Sequence, residues 1–203
     1  MSTSFEVIPG KKKTPTFEQV LKLAESRFCE FLDSISKEVR YDIRLERRNQ
    51  DTKIQSENYN LKDTFTWREE EYLWLSVKEK AGGAEIYCWN VEEDERDFWE
   101  KEINANKKSD TLAEKIYECL DNGVYWNICR EGTNDPVVDV LYGYFAAALA
   151  ELTDGIIFSS DNAWDNECFP AIAEEFYTWY FRPDKAISNE IKDWSEASLS
   201  MLI

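Results

Sequence analysis

The sequence predicts an α+β domain in which one mostly antiparallel sheet packs with helices around a single apolar helix. Three observations carry this expectation. Two strand-like runs, Glu71 to Val77 and Ala84 to Val91, flank a Gly82-Gly83 pair, which reads as a hairpin and so as antiparallel pairing. Asp135-Pro136 precedes Val137 to Ala150, apolar on nearly every face, which reads as a buried central helix reaching about Leu152. The other segments do not alternate strand with helix as a doubly wound sheet requires. At 203 residues the chain is expected to form one domain, 1–203, able to bury roughly 70% of its unfolded surface without disulfide or metal.

Taken in order, Phe5 to Ile8 reads as a short strand closed by Pro9-Gly10. A flexible amino terminus over 1–15 is the other reading of that segment, with Lys11-Lys12-Lys13 as a solvated turn. Thr16-Phe17-Glu18-Gln19 is a capping box, and the apolar spacing from Phe17 through Ile35 predicts an amphipathic helix to about Val39. Tyr41 to Arg47 alternates like a half-buried strand, and Asn49 to Lys62 reads as an exposed connection. After the hairpin, Glu92 to Glu102 holds seven acids and two bases around Phe98 and Trp99, a charged surface helix with both aromatics turned inward. A second helix runs from Ser109 to Leu120 and stops at Asp121-Asn122-Gly123; Val124 to Cys129 is the next strand. Beyond the central helix, Thr153-Asp154-Gly155 turns the chain into the short strand Gly155 to Phe158. Helices follow from about Pro170 to Phe181, stopped by Pro183, and from about Ile187 to Trp194.

Composition restricts the chemistry. The chain lacks His, and Cys29, Cys88, Cys119, Cys129 and Cys168 form no C-x-x-C pair. That removes Ser-His and Cys-His nucleophiles and the usual zinc sites, and it favours reduced, mostly buried thiols. Phosphate-binding glycine loops and the G-x-S-x-G nucleophile turn do not occur either. Net charge is −17, with ten Lys/Arg against eight Asp/Glu in residues 1–50 and fourteen against thirty-three in 51–203. Such a field repels phosphate backbones and anionic membranes and attracts basic proteins, although acidity that serves only solubility gives the same sum. The opening residues lack a signal-peptide core, and no run of about 18 uninterrupted apolar residues occurs, so a cytoplasmic protein is expected.

The stretch Glu131 to Phe181 stands apart, with ten carboxylates among aromatics and neither Lys nor Arg. Its loop Ser159 to Glu167 fails the calcium-loop pattern: counted from Asp161, position 3 is Ala163 and position 6 is Asn166. A looser magnesium or calcium site and a plain acidic surface loop both remain open for it, as does a carboxylate pair such as Asp161 and Asp165. Trp164, between small and charged neighbours, reads either as a partly exposed interface anchor or as a ring folded back over the end of the sheet.

The run Ala148 to Arg182 contains Leu152-Thr153-Asp154-Gly155-Ile156-Ile157-Phe158-Ser159, then Asp161-Asn162-Ala163-Trp164-Asp165 and Phe169-Pro170-Ala171. It resembles the C-terminal signature of small bacterial immunity proteins of polymorphic-toxin and type VI secretion systems. In particular it is similar to the group paired with restriction-endonuclease-fold toxins. The resemblance covers about 35 of 203 residues. It implies a non-enzymatic cytoplasmic protein, without cofactor or metal, that binds and neutralises a cognate toxin. A basic, nuclease-like toxin surface is expected, met by residues 151–175 alone or together with the acidic helix 92–102. The expected contact residues are Asp154, Asp161, Trp164, Asp165, Glu167, Glu174 and Glu175. Two rivals stand beside this expectation: a DNA-mimicking inhibitor of a restriction or defence protein, and a metal-dependent carboxylate enzyme.

Overall fold

The computed structural model describes residues 3–10, 13–53, 59–105, 107–130, 132 and 134–202. Most of the Lys11-Lys12-Lys13 turn and residues 54–58 of the connection after Asn49 lie outside the described residues. A six-stranded antiparallel sheet is formed by β1 (Thr3–Ile8), β2 (Ile43–Asn49), β3 (Glu71–Val77), β4 (Ala84–Asn90), β5 (Val124–Arg130) and β6 (Ile156–Phe158). Their order across the sheet is β2-β3-β4-β5-β1-β6. The helices are α1 (Phe17–Ser34), α2 (Glu93–Ala105), α3 (Ala113–Leu120), α4 (Pro136–Thr153), α5 (Ala173–Trp179) and α6 (Asn189–Ser200). The α+β class and the central apolar helix are as expected.

A loose amino terminus is not what Thr3 to Gly10 form. All six residues of β1 are buried, because this strand is slotted between β5 and β6 with Phe5 opposite Ile128 and Glu6 opposite Phe158. Alternation then sorts its side chains. Phe5 packs against Tyr142 of α4 and against Phe176 and Tyr180 of the α5 region, with ring centroids 4.8, 5.3 and 5.5 Å apart. Ser4 and Glu6 therefore face the other side, where Trp99 of α2 closes on Tyr125 and Phe158.

Helix α4 is the centre of the core, with Val137 through Ala150 buried. Asp135 caps it by accepting from the Val137 amide at 3.1 Å, and Asp154 ends it in the left-handed conformation, φ 50°. Its length and mean hydropathy would suffice for a membrane span, but 83% of it is buried inside the fold, as in a core helix. Gly143 has no substitute there, since a Cβ would lie 2.3 Å from the Tyr180 ring.

Several boundaries differ from expectation, each for a reason visible in the backbone. The capping box on α1 is present, but the helix stops at Ser34. Ser36 turns left-handed, φ 59°, and the Lys37 amide closes back on the Leu32 carbonyl at 2.9 Å. In the β3–β4 turn it is Glu79 and Gly82 that take positive φ, and the Asn134 side chain clips Gly83 through both its amide and its carbonyl. Helix α5 begins at Ala173 rather than Pro170, because Ala171 exchanges two backbone hydrogen bonds with Ile157 and extends the sheet edge beyond β6. It ends at Trp179, before Pro183, which instead opens a short 3-10 turn. Helix α6 runs further than expected, to Ser200, from a Ser188 cap.

A candidate acidic cleft

The expected contact residues do not share one surface. Trp164 is fully buried, ringed by Trp179, Tyr180, Phe181 and Trp194 at 5.3–6.2 Å. The exposed-anchor reading is thus corrected: the ring is folded back and pins the carboxyl-terminal segment to the core. Asp165 is 6% exposed and accepts from the Ile187 and Ser188 amides at 2.7 and 3.1 Å, so its carboxylate holds the start of α6 rather than meeting a partner. Asp154 pairs with Lys115 at 2.9 Å and Glu175 with Lys108 at 3.1 Å, both on the side of α3 and the turn before it. Glu167 and Glu174 are exposed. Asp161 points the other way from Asp165, toward β1.

At Asp161 the structure gathers something the sequence did not announce. The Glu6 carboxyl is 3% exposed in mid-strand, opposite Asn127 of β5 and Phe158 of β6. Its Oε1 lies 3.1 Å from Ser4 Oγ, 3.1 Å from Ser160 Oγ and 3.3 Å from Asn127 Nδ2; Oε2 accepts from the Ser160 amide at 3.2 Å. Asp161 accepts from the Ser4 amide at 3.0 Å and from Ser159 Oγ at 3.3 Å, and its Oδ2 lies 3.0 Å from Ser4 Oγ. A serine hydroxyl has one proton, so Ser4 can donate to only one of the two carboxylates. Both contacts are hydrogen bonds when the Glu6 carboxyl is itself protonated. Burial pushes the Glu6 pKa from 4.5 to about 7 against the pull of Ser4, and the Asp161 charge adds to the rise.

Beside Glu6 opens a cleft of about 370 Å³, lined by Glu6, Glu95, Phe98, Trp99, Tyr125, Asn127 and Ser160. Helix α2 supplies one wall. Adjacent residues on a helix sit 100° apart, so Trp99 turns inward at 4% exposed while Phe98 stays 42% exposed at the rim, where both had been expected to face inward. Glu95 accepts from the Tyr125 hydroxyl at 2.8 Å, and burial with this neighbour raises the phenol's pKa. Cys129 donates to Asn127 Oδ1; burial, then the charges of Glu6 and Asp161, push its thiol up to about 12, so it stays protonated and inert at neutral pH. The lining holds neither Lys nor Arg among the described residues.

The acidic helix and the Ser159–Asp161 loop thus meet at one cleft over Glu6 of β1. Sequence reasoning missed Glu6 as the centre, although a lone Glu in Phe5-Glu6-Val7-Ile8 was the available signal: an acid in a strand that becomes buried on both faces. Among the described residues no group of three Asp, Glu or Cys is placed to hold a metal ion. Comparisons with protein-family models, with curated proteins and with solved structures find no match to this chain.

Proposed function

We propose that this chain is an immunity protein: a non-enzymatic inhibitor that binds a cognate toxin with a basic, nuclease-like surface and so neutralises it. The reading is supported by one observation above others. An exposed aromatic, Phe98, stands at the mouth of a cleft lined by Glu6 and Glu95 and flanked by Asp161, in a chain of net charge −17. A rim of one sign speeds encounter with a basic protein, and an apolar group inside that rim supplies the desolvated contact that slows dissociation. Phe98 takes the anchoring role expected of Trp164, and of the two expected surfaces, residues 151–175 alone or with helix 92–102, this reading takes the second, narrowed to α2 and the Ser159–Asp161 loop. The sibling-toxin partner follows the resemblance of Ala148 to Arg182 to such immunity proteins. A phosphate mimic would space its acids along an extended surface; here they converge on a cleft, which suits a globular inhibitor better.

Growth rescue tests this. Expression of the partner toxin alone arrests growth, and co-expression of the wild-type chain restores it. Glu95→Lys with Phe98→Arg abolishes rescue while leaving the fold intact, whereas Asp193→Lys with Glu196→Lys on exposed positions of α6 does not. Full rescue by the cleft variant contradicts the proposal.

A carboxylate-enzyme reading has one observation in its favour, the Glu6 carboxyl that titrates near neutral pH beside Asp161, as a general acid or base would. Hydrolytic activity lost on Glu6→Gln but kept in Phe98→Arg would favour it over inhibition.

A further inference from the structure

The sheet is covered unevenly. On the side facing away from α4, helix α2 covers β5 and β6 through Trp99. Over β3 and β4 the same side presents aromatic rings that remain half-buried: Trp74, Tyr87 and Trp89. Tyr87 stacks on Tyr72 at 5.7 Å and on Trp89 at 5.5 Å, so the rings form a ladder. Register ties this ladder to the cleft, because Tyr87 is opposite Asn127 and Asn127 is opposite Glu6. One continuous surface therefore runs from the rings into the carboxylates.

That surface already takes cations. The Arg48 guanidinium lies 4.6 Å from the Trp74 ring centroid, and Lys53 Nζ lies 4.7 Å from that of Tyr72. Tyr87 and Trp89, nearer the cleft, have no such cation of this chain among the described residues. The cleft beyond them has carboxylates and no cationic lining residue among the described residues.

We infer that an arginine-bearing segment of a basic protein partner lies across Tyr87 and Trp89, with one guanidinium entering the cleft against Glu6 and Glu95. The inference rests on the inhibitor reading for the partner's charge. Arginine fits better than lysine for two reasons. Its planar fork can stack on a ring and still reach a carboxylate, and it gives up its water more readily on entering a half-closed site. Glu6 Oε2 accepts only from the Ser160 amide among the described residues, which leaves a lone pair for the incoming donor. A guanidinium there favours the ionised carboxylate, so occupancy expels the proton from Glu6.

The test is a titration of N-acetyl-hexa-arginine amide into the isotopically labelled full chain at low salt, read at the Glu6 carboxyl carbon and at the Trp89 indole. Expected are a fall in the Glu6 titration midpoint, movement of the Trp89 signal, and binding weakened roughly tenfold by Glu6→Gln and likewise by Trp89→Ala. Asp193→Asn with Glu196→Asn, which lowers charge elsewhere, should leave binding within about twofold. Hexa-lysine should bind more weakly than hexa-arginine. The inference is overturned by equal binding in all variants, which would mean attraction to net charge alone, by shifts mapping to another face, or by no binding. Growth rescue reads the inhibitor function and this titration reads the surface, so either can fail without the other.

Discussion

Replacing Glu6 by Gln should make the protein more stable at pH 8 and almost no different at pH 5. The amide has the shape of the protonated carboxyl; with its NH2 in the place of Oε1 it donates to the Ser4 and Ser160 hydroxyls and still accepts from the Ser160 amide, giving up only the Asn127 contact, without ever carrying charge. The sign follows from the raised pKa. A carboxyl that moves from 4.5 to about 7 on folding binds its proton more tightly in the native state. Its contribution is fully present below pH 4.5, declines as pH rises toward 7, and is lost above it. For a shift of this size the ionised side chain costs the fold about 3 kcal/mol at pH 8 and under about 1 kcal/mol at pH 5. The group is buried, so solvent screening does not erase the effect. Urea unfolding of wild type and Glu6→Gln at pH 5, 6, 7 and 8 measures it, and comparing the two proteins cancels the titration of the other acids. The gap should widen with pH and level off above about 7. Parallel curves, or a variant less stable at pH 8, would refute the placement of Glu6 and its shared proton with Ser4.

Three further outcomes follow from the packing. Trp164→Ala should cost about 3–5 kcal/mol and lower the melting temperature by some 8 °C or more in a calorimetric scan, because the ring joins α5 to α6; a surface residue would move it by a degree or two. Asp165→Ala orphans the Ile187 and Ser188 amides and should cost about 2–3 kcal/mol, with faster hydrogen exchange at those two amides and little change within α4. Gly143→Ala drives a methyl into the Tyr180 ring, 2.3 Å from its nearest atom, and breaks the Tyr180 hydroxyl bond to the Asp139 carbonyl; equilibrium unfolding should show a loss of about 1–3 kcal/mol.

What the sequence made legible was local. The Thr16–Gln19 box, the Asp135-Pro136 start and the Glu71–Val77 strand each depend on a few neighbouring residues, and each is where it was expected. The end of α1 failed locally, at the left-handed Ser36, and the start of α5 failed because a backbone from elsewhere intervened: Ala171 pairs with Ile157 and holds off α5 until Ala173. The site failed for the same reason on a larger scale. Trp164 read equally as an exposed anchor or as a ring folded back, because its sequence neighbours are small or charged; the second holds, since Ala163 is tied to Ser159 and Asp165 reaches Ile187 and Ser188. Glu6 looked like an ordinary strand acid, and only the insertion of β1 between β5 and β6 puts it beside Asp161, 155 positions along the chain. Charge sign and the two acidic segments were visible; their meeting point required pairings between residues more than 120 positions apart.

The most direct test of the account is the rate at which the chain associates with its toxin partner, measured against salt for wild type, for Glu95→Lys with Phe98→Arg, and for Asp193→Lys with Glu196→Lys. If the cleft is the contact surface, association of the wild type slows steeply between about 20 and 200 mM salt, and the cleft variant is slow throughout with a much flatter dependence. The α6 variant should stay close to wild type. Equal losses in both variants would mean that diffuse acidity, and not this cleft, meets the partner.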